Sequence, residues 1–188
     1  MERRIVVTTR DCPARLVPIG TPVTIPKGTF VTLTQALGGT YTVVWNGNMA
    51  RVDGTDGDAL GFEAEALDFV RNADGTVNLD DVHKALRTIY DPEIPVNVVD
   101  LGLIYGCELL VEPAMAGSVP GNEHRRVISI RMTLTAPGCG MGPVLVDEIK
   151  HRLGRIPNVD EVRVDLVFDP PWSRDMMTEE AQLELGLF

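Results

Sequence analysis

The chain has 188 residues, room for one domain or two small ones, and its 44 % apolar content is enough for a core. With only 5 % aromatics that core is aliphatic in character. A formal charge of −10 argues against nucleic acid as the main partner, because phosphate binding needs a basic surface. The charge is uneven, net −2 over residues 1–78 and net −8 over 79–188, so the acidic half is the second. No apolar run approaches the ~20 residues that span a bilayer, and the N-terminus lacks the apolar core of a signal peptide. Three cysteines, Cys12, Cys107 and Cys139, form no CxxC pair. An odd, unpaired set suits a reducing compartment. The expectation is a cytoplasmic protein that binds neither nucleic acid nor membrane.

Residues 1–66 read as a small β-rich domain. Phe30 to Gln35 has strand character, and Tyr41 to Trp45 with Met49 to Val52 flank Asn46-Gly47. Asn-Gly suits the positive φ angles of a two-residue hairpin turn. No histidine and no catalytic constellation lie here, and Cys12 beside Pro13 reads as a surface or edge thiol in a loop. Asp53, Asp56 and Asp58 fall among glycines, and Asn72 to Asp81 looks superficially like a calcium loop. Neither fits the EF-hand spacing, since Val70 would stand at the first ligand position. Both read as turns. A linker is expected at 67–78, with a short helix over 64–71.

The second domain is expected over residues 79–176. Asn78 is the expected N-cap, with Asp80 and Asp81 in the first turn and Leu79, Val82, Leu86 and Ile89 as a helical stripe ending near Tyr90. Asp91-Pro92 stops the helix, because the residue before a proline avoids helical angles. A strand over 103–111 would put Leu103, Tyr105, Cys107, Leu109 and Val111 on one face, making Cys107 a core residue. A polar connection at 113–126 leads to a return strand, 127–135, with Ile128, Ile130, Met132 and Leu134 on one side. After a glycine-rich turn, Pro143 to Leu153 is a helix with Leu145, Ile149 and Leu153 on one face. Val162, Val164, Leu166 and Phe168 mark a third strand, and Asp169-Pro170-Pro171-Trp172 a rigid turn. A C-terminal tail, 177–188, carries a short acidic helix that packs on the domain or on a partner. The fold class is α+β, a β-rich N-terminal domain followed by α-β-β-α-β.

Chemistry concentrates at Pro137-Gly138-Cys139-Gly140-Met141-Gly142. A cysteine at a helix entrance meets free amides and the positive end of the helix dipole, which favour a thiolate. A fall of about one unit from ~8.5 would raise the thiolate fraction at neutral pH from roughly 3 % to roughly 25 %. Sulfur chemistry and soft-metal binding both suit such a group, as does a small residue that merely fills a turn.

Four blocks carry a resemblance: Asp91-Pro92-Glu93-Ile94-Pro95-Val96-Asn97, Asp100-Leu101-Gly102-Leu103-Ile104-Tyr105, Thr135-Ala136-Pro137-Gly138-Cys139-Gly140 and Asp169-Pro170-Pro171-Trp172. In this order they resemble the metal–sulfur cluster biosynthetic domain of the PaaD-like proteins and the eukaryotic cytosolic iron–sulfur targeting factor. One such domain behind a β-rich extension is similar to the SufT-type subgroup. The resemblance implies iron–sulfur cluster assembly or maturation rather than enzymatic turnover, with the assembly machinery and apo client proteins as partners. It implies that Cys139 is the reactive residue and metal ligand, that Asp91 and Glu93 form an acidic loop beside it, and that Thr133 and Thr135 are polar positions on the strand leading in. One cysteine cannot complete a four-thiolate shell. A cluster would be held transiently, with a homodimer partner, a client or a scaffold completing the ligands. A metal-free adaptor for the assembly partners is the alternative.

Two other readings fare worse. A thiol enzyme needs a base near the sulfur, and His151 lies about 18 Å along the helix from Cys139 at 1.5 Å per residue. A phosphate loop would need Lys-Ser/Thr after the glycines, and none follows.

Overall fold

The computed structural model of the chain describes residues 3–64, 68–91, 94–114, 124–138 and 140–187. Two compact units emerge: residues 1–68 with 90–95 and 140–145, and residues 69–89 with 96–139 and 146–188.

The first unit is built on a six-stranded sheet. Its strands are β1 (Arg4–Val7), β2 (Cys12–Val17), β3 (Pro22–Ile25), β4 (Phe30–Leu37), β5 (Thr40–Trp45) and β6 (Asn48–Asp53). They lie in the order β1-β4-β5-β6-β2-β3, with every neighbouring pair antiparallel. The Asn-Gly hairpin is as expected: Asn46 and Gly47 take φ of 49° and 77°, which closes β5 onto β6. One face buries Ile25, Val31, Val43, Ala50 and Val52, and the stacked rings of Tyr41 and Phe62, 5.0 Å apart, close its end. The aspartates among glycines form a 3₁₀ helix, Gly54–Leu60, capped by Asp53. Arg10 spans Asp56 and Asp58 at 2.8 Å.

Cys12 departs from the expected surface loop. It opens β2 and is fully buried, and desolvation, seconded by the nearby Asp56, pushes its thiol up to about 11. Proline looked like a loop marker at 13, but there β2 is paired only with β3, and the β6 ladder begins at Arg15. A proline fits a strand wherever one side carries no ladder bond.

The expected helix over 64–71 is absent where the span is described, since 64 and 68–71 are irregular. The segment is instead pinned by its polar residues, with Thr76 N–H and hydroxyl both donating to Asp74 at 2.9 and 2.7 Å. Asn78 caps α1 (Leu79–Arg87) by accepting from Asp80 N–H at 3.0 Å. The helix ends short of Tyr90, and its first apolar residue, Leu79, stays 46 % exposed while Val82, Ala85 and Leu86 are buried.

The second sheet has the order β7-β8-β9, from β7 (Ile104–Pro113), β8 (His124–Met132) and β9 (Glu161–Leu166). β7 and β8 are antiparallel, while β8 and β9 are parallel and joined through α2 (Gly142–Leu153). Val127, Ile128, Ile130 and Met132 are fully buried, as are Ile149 and Leu153 of α2. A bulge between Ile104 and Gly106 resets the alternation of β7. Cys107 does share the face of its partner Ile130, but β7 is an edge strand. The expected core cysteine is therefore only half-buried, and Val111 is 62 % exposed. Desolvation and then the Glu108 carboxylate push the Cys107 thiol up.

The C-terminal segment packs on this unit. Trp172 is half-buried and donates its indole N–H to Leu101 O at 2.8 Å; Tyr105 hydroxyl donates to Pro170 O at 2.8 Å. Thr178 caps α3 (Glu179–Glu184) and gives its own N–H to Asp100 O at 2.9 Å. Gly102 is required here twice over. Its φ is +71°, and an added Cβ would stand 2.2 Å from Met176 O. Among the described residues no helix is long and apolar enough to cross a membrane.

Candidate functional site

The strand that leads into the cysteine turn stays paired beyond its formal end. Thr133 N–H donates to Leu103 O and Val167 N–H to Met132 O, each at 2.8 Å. This holds Thr133 at 1 % exposure, so the residue expected on a polar face lies in the interior. Its hydroxyl is buried and makes no hydrogen bond. A buried unsatisfied hydroxyl costs about 1–3 kcal/mol, which singles out Thr133 against the apolar residues beside it. Thr135 is half-buried, and Ala136, Pro137 and Gly138 are exposed, with Gly138 at φ +81°. Met141 is buried and begins the first helical turn by accepting from Leu145 N–H at 3.1 Å.

The first turn of α2 carries no carboxylate, and Lys150, His151 and Arg152 occupy its last turn. The cations of the last turn suit the helix dipole, while the first turn leaves its positive amino end without an acidic residue of its own. Cys139, the expected reactive ligand, and Glu93 of the expected acidic loop lie outside the described residues.

Asp91 belongs to the first unit and is 5 % exposed. Its Oδ1 accepts from Ile94 N–H, three residues on, at 3.0 Å. The peptide carbonyls here are held by the sheet: Gln35 Nε2 donates to Asp91 O and Arg51 Nη2 to Tyr90 O, both at 3.3 Å. In the second unit, Asn97 Oδ1 takes the N–H groups of Val99 and Asp100 at 3.0 and 2.9 Å, and its Nδ2 donates to Asp100 Oδ2 at 2.6 Å. Asn97 and Asp100 thus shape their loop.

Thr133 and Thr135 are brought together on one strand exit, and Asp91 is set by the sheet of the first unit. Gln35 and Arg51 were invisible to motif reading, because the resemblance starts only at Asp91. The available signal was a charged residue, Arg51, inside an apolar hairpin strand. Among the described residues, no three His, Cys, Asp or Glu side chains gather as a metal shell.

The family model for "iron-sulfur cluster assembly protein" matches residues 79–166, from α1 to the end of β9. A protein of Porphyromonas gingivalis named Fe-S protein maturation auxiliary factor is 40 % identical over 107 residues, 57 % of this chain and 90 % of that protein. The factor YitW of Bacillus subtilis is 36 % identical, covering 55 % of this chain and 88 % of its own length. The factor SufT of Staphylococcus aureus is 34 % identical, covering 53 % and 98 % respectively. These proteins are matched nearly end to end by about half of this chain, while the family model leaves the six-stranded sheet outside. On that identity and coverage, the chain belongs to the iron–sulfur cluster assembly protein family, as a SufT-type member.

Proposed function

We propose that this chain is an iron–sulfur maturation factor that carries a cluster as cargo, or helps pass one to apo client proteins, with Cys139 as its thiolate ligand. The observation that carries the reading is the match at 34–40 % identity across 88–98 % of three proteins named Fe-S protein maturation auxiliary factors. Two local features support it. The first turn of α2 begins three residues after position 139 without a carboxylate, which favours negative charge on a sulfur placed there. The unpartnered hydroxyl of Thr133 sits on the strand that delivers that turn.

One cysteine ligand leaves a cluster short of a full shell. The remaining ligands come from a client, a scaffold or a second copy, and an incomplete shell is what a donor needs to release its cargo. Asp91 and Glu93 serve as carboxylate ligand or proton acceptor, with Thr133 and Thr135 orienting the turn. The role is delivery in the cytoplasm rather than catalytic turnover.

Anaerobic reconstitution of wild type and Cys139→Ser, read by visible absorption with iron and sulfide content, tests this. A chromophore with bound iron and sulfide in wild type, lost in the variant, is the expected result. No cluster in either protein would overturn direct carriage and leave the chain as a metal-free adaptor among assembly partners.

A further inference from the structure

The N-terminal sheet presents, behind its apolar core, a second buried face that is polar. Gln35 on β4, Thr42 on β5 and Arg51 on β6 are direct cross-strand partners and so form one row on one side of the sheet. Thr42 is 2 % exposed, Arg51 6 %, and Thr40, one pleat further along β5, 5 %. The row is internally bonded: Thr42 hydroxyl donates to Gln35 Oε1 at 3.4 Å, and Arg51 Nη2 to Thr40 Oγ1 at 3.2 Å. A buried polar row is costly unless its groups find partners, and main-chain carbonyls are among them here. Gln35 takes Asp91 O, and Arg51 takes Tyr90 O.

The sheet outside the family match thus holds the short family segment at Tyr90 and Asp91. We propose that Arg51 and Gln35 are positioning residues, and that the N-terminal sheet is a mount that sets Asp91 for cluster handover. The proposal rests on the maturation reading for the handover, though not for the mount itself.

The experiment uses the full chain with Arg51→Met, Gln35→Leu and, as the conservative control, Arg51→Lys. Amide hydrogen exchange reads the mount at Ile94, whose N–H is held by Asp91, and the sheet core at Val43 and Val52. Gln35 is only half-buried, so Gln35→Leu stays informative where Arg51→Met fails to fold. The expected result is exchange at Ile94 faster by about tenfold in Met and Leu variants, as loss of one ordinary hydrogen bond gives, with Val43 and Val52 unchanged and Arg51→Lys closer to wild type. Cluster transfer from the reconstituted protein to an apo ferredoxin should slow in the same order. Unchanged protection of Ile94 in both Met and Leu variants overturns the mount. Lost protection with unchanged transfer overturns the positioning role. A wild type that loads no cluster sinks the maturation reading instead, and Ile94 still decides the mount.

Discussion

Arg51 on the N-terminal sheet and the arginines on the three-stranded sheet use the same guanidinium in opposite surroundings. Arg51 is 6 % exposed and reaches from a threonine hydroxyl to a main-chain carbonyl. Arg125 and Arg163 instead share Glu112 and Glu161 at 2.6–3.2 Å near solvent, with side chains 21 % and 37 % exposed. In the second cluster water competes for each ion pair. The bonds of the first are shielded from water. The difference teaches that burial, more than the count of contacts, sets what an arginine is worth.

Four measurements sharpen or break that contrast. A purely apolar reference comes first, since Ile130→Ala removes a fully buried side chain of β8 and should cost about 2–5 kcal/mol in denaturant unfolding. Arg51→Met should follow at about 1–3 kcal/mol, the loss of a buried donor to two acceptors, whereas Arg125→Gln should lie close to wild type. If Arg125→Gln proves the more destabilising, the ranking by burial is wrong.

Titration gives the third test. The folded state holds the Cys12 thiol protonated to about 11, against an ordinary 9.0. Between those values the unfolded chain releases the proton first, so stability is fully present below about pH 9 and falls as pH rises toward 11. Cys12→Ala should flatten that alkaline limb, and a limb of unchanged steepness would assign it elsewhere. The smallest effect is at the acid end. Hydrogen bonds from Arg163, then Arg125, hold Glu112 at about 2, against an ordinary 4.5. Its contribution is present above pH 4.5 and lost as pH falls toward 2, and Glu112→Gln should remove it. Because this cluster is open to solvent, 1 M salt should shrink the Glu112 effect while leaving that of Arg51 in place.

What the sequence disclosed depended on whether a signal was local. Asn46-Gly47, the Asn78 cap and the Leu145–Ile149–Leu153 stripe are each decided within a few residues, and each was legible. Cys12 and Cys107 were misjudged because their burial depends on which strands lie at a sheet edge, a property of β-pairing across the chain. The four motif blocks located the candidate site, yet gave no hint that Thr133 would be interior or that Gln35 would hold Asp91 from 56 residues away. Cross-strand register produced that row, and register is absent from any motif.

The way the C-terminal segment grips the loop at 100–102 bears on where this protein can be cut. The family match stops at Leu166, but Trp172, Met176 and Thr178 all lean on Leu101, Gly102 and Asp100 beyond that point. A chain trimmed to the family boundary would leave Asp100 and Leu101 carbonyls without these donors and would strip the cover from Gly102. In this protein the family-model boundary at Leu166 falls short of the packed unit, and an engineer who trims there removes donors that the loop at 100–102 uses.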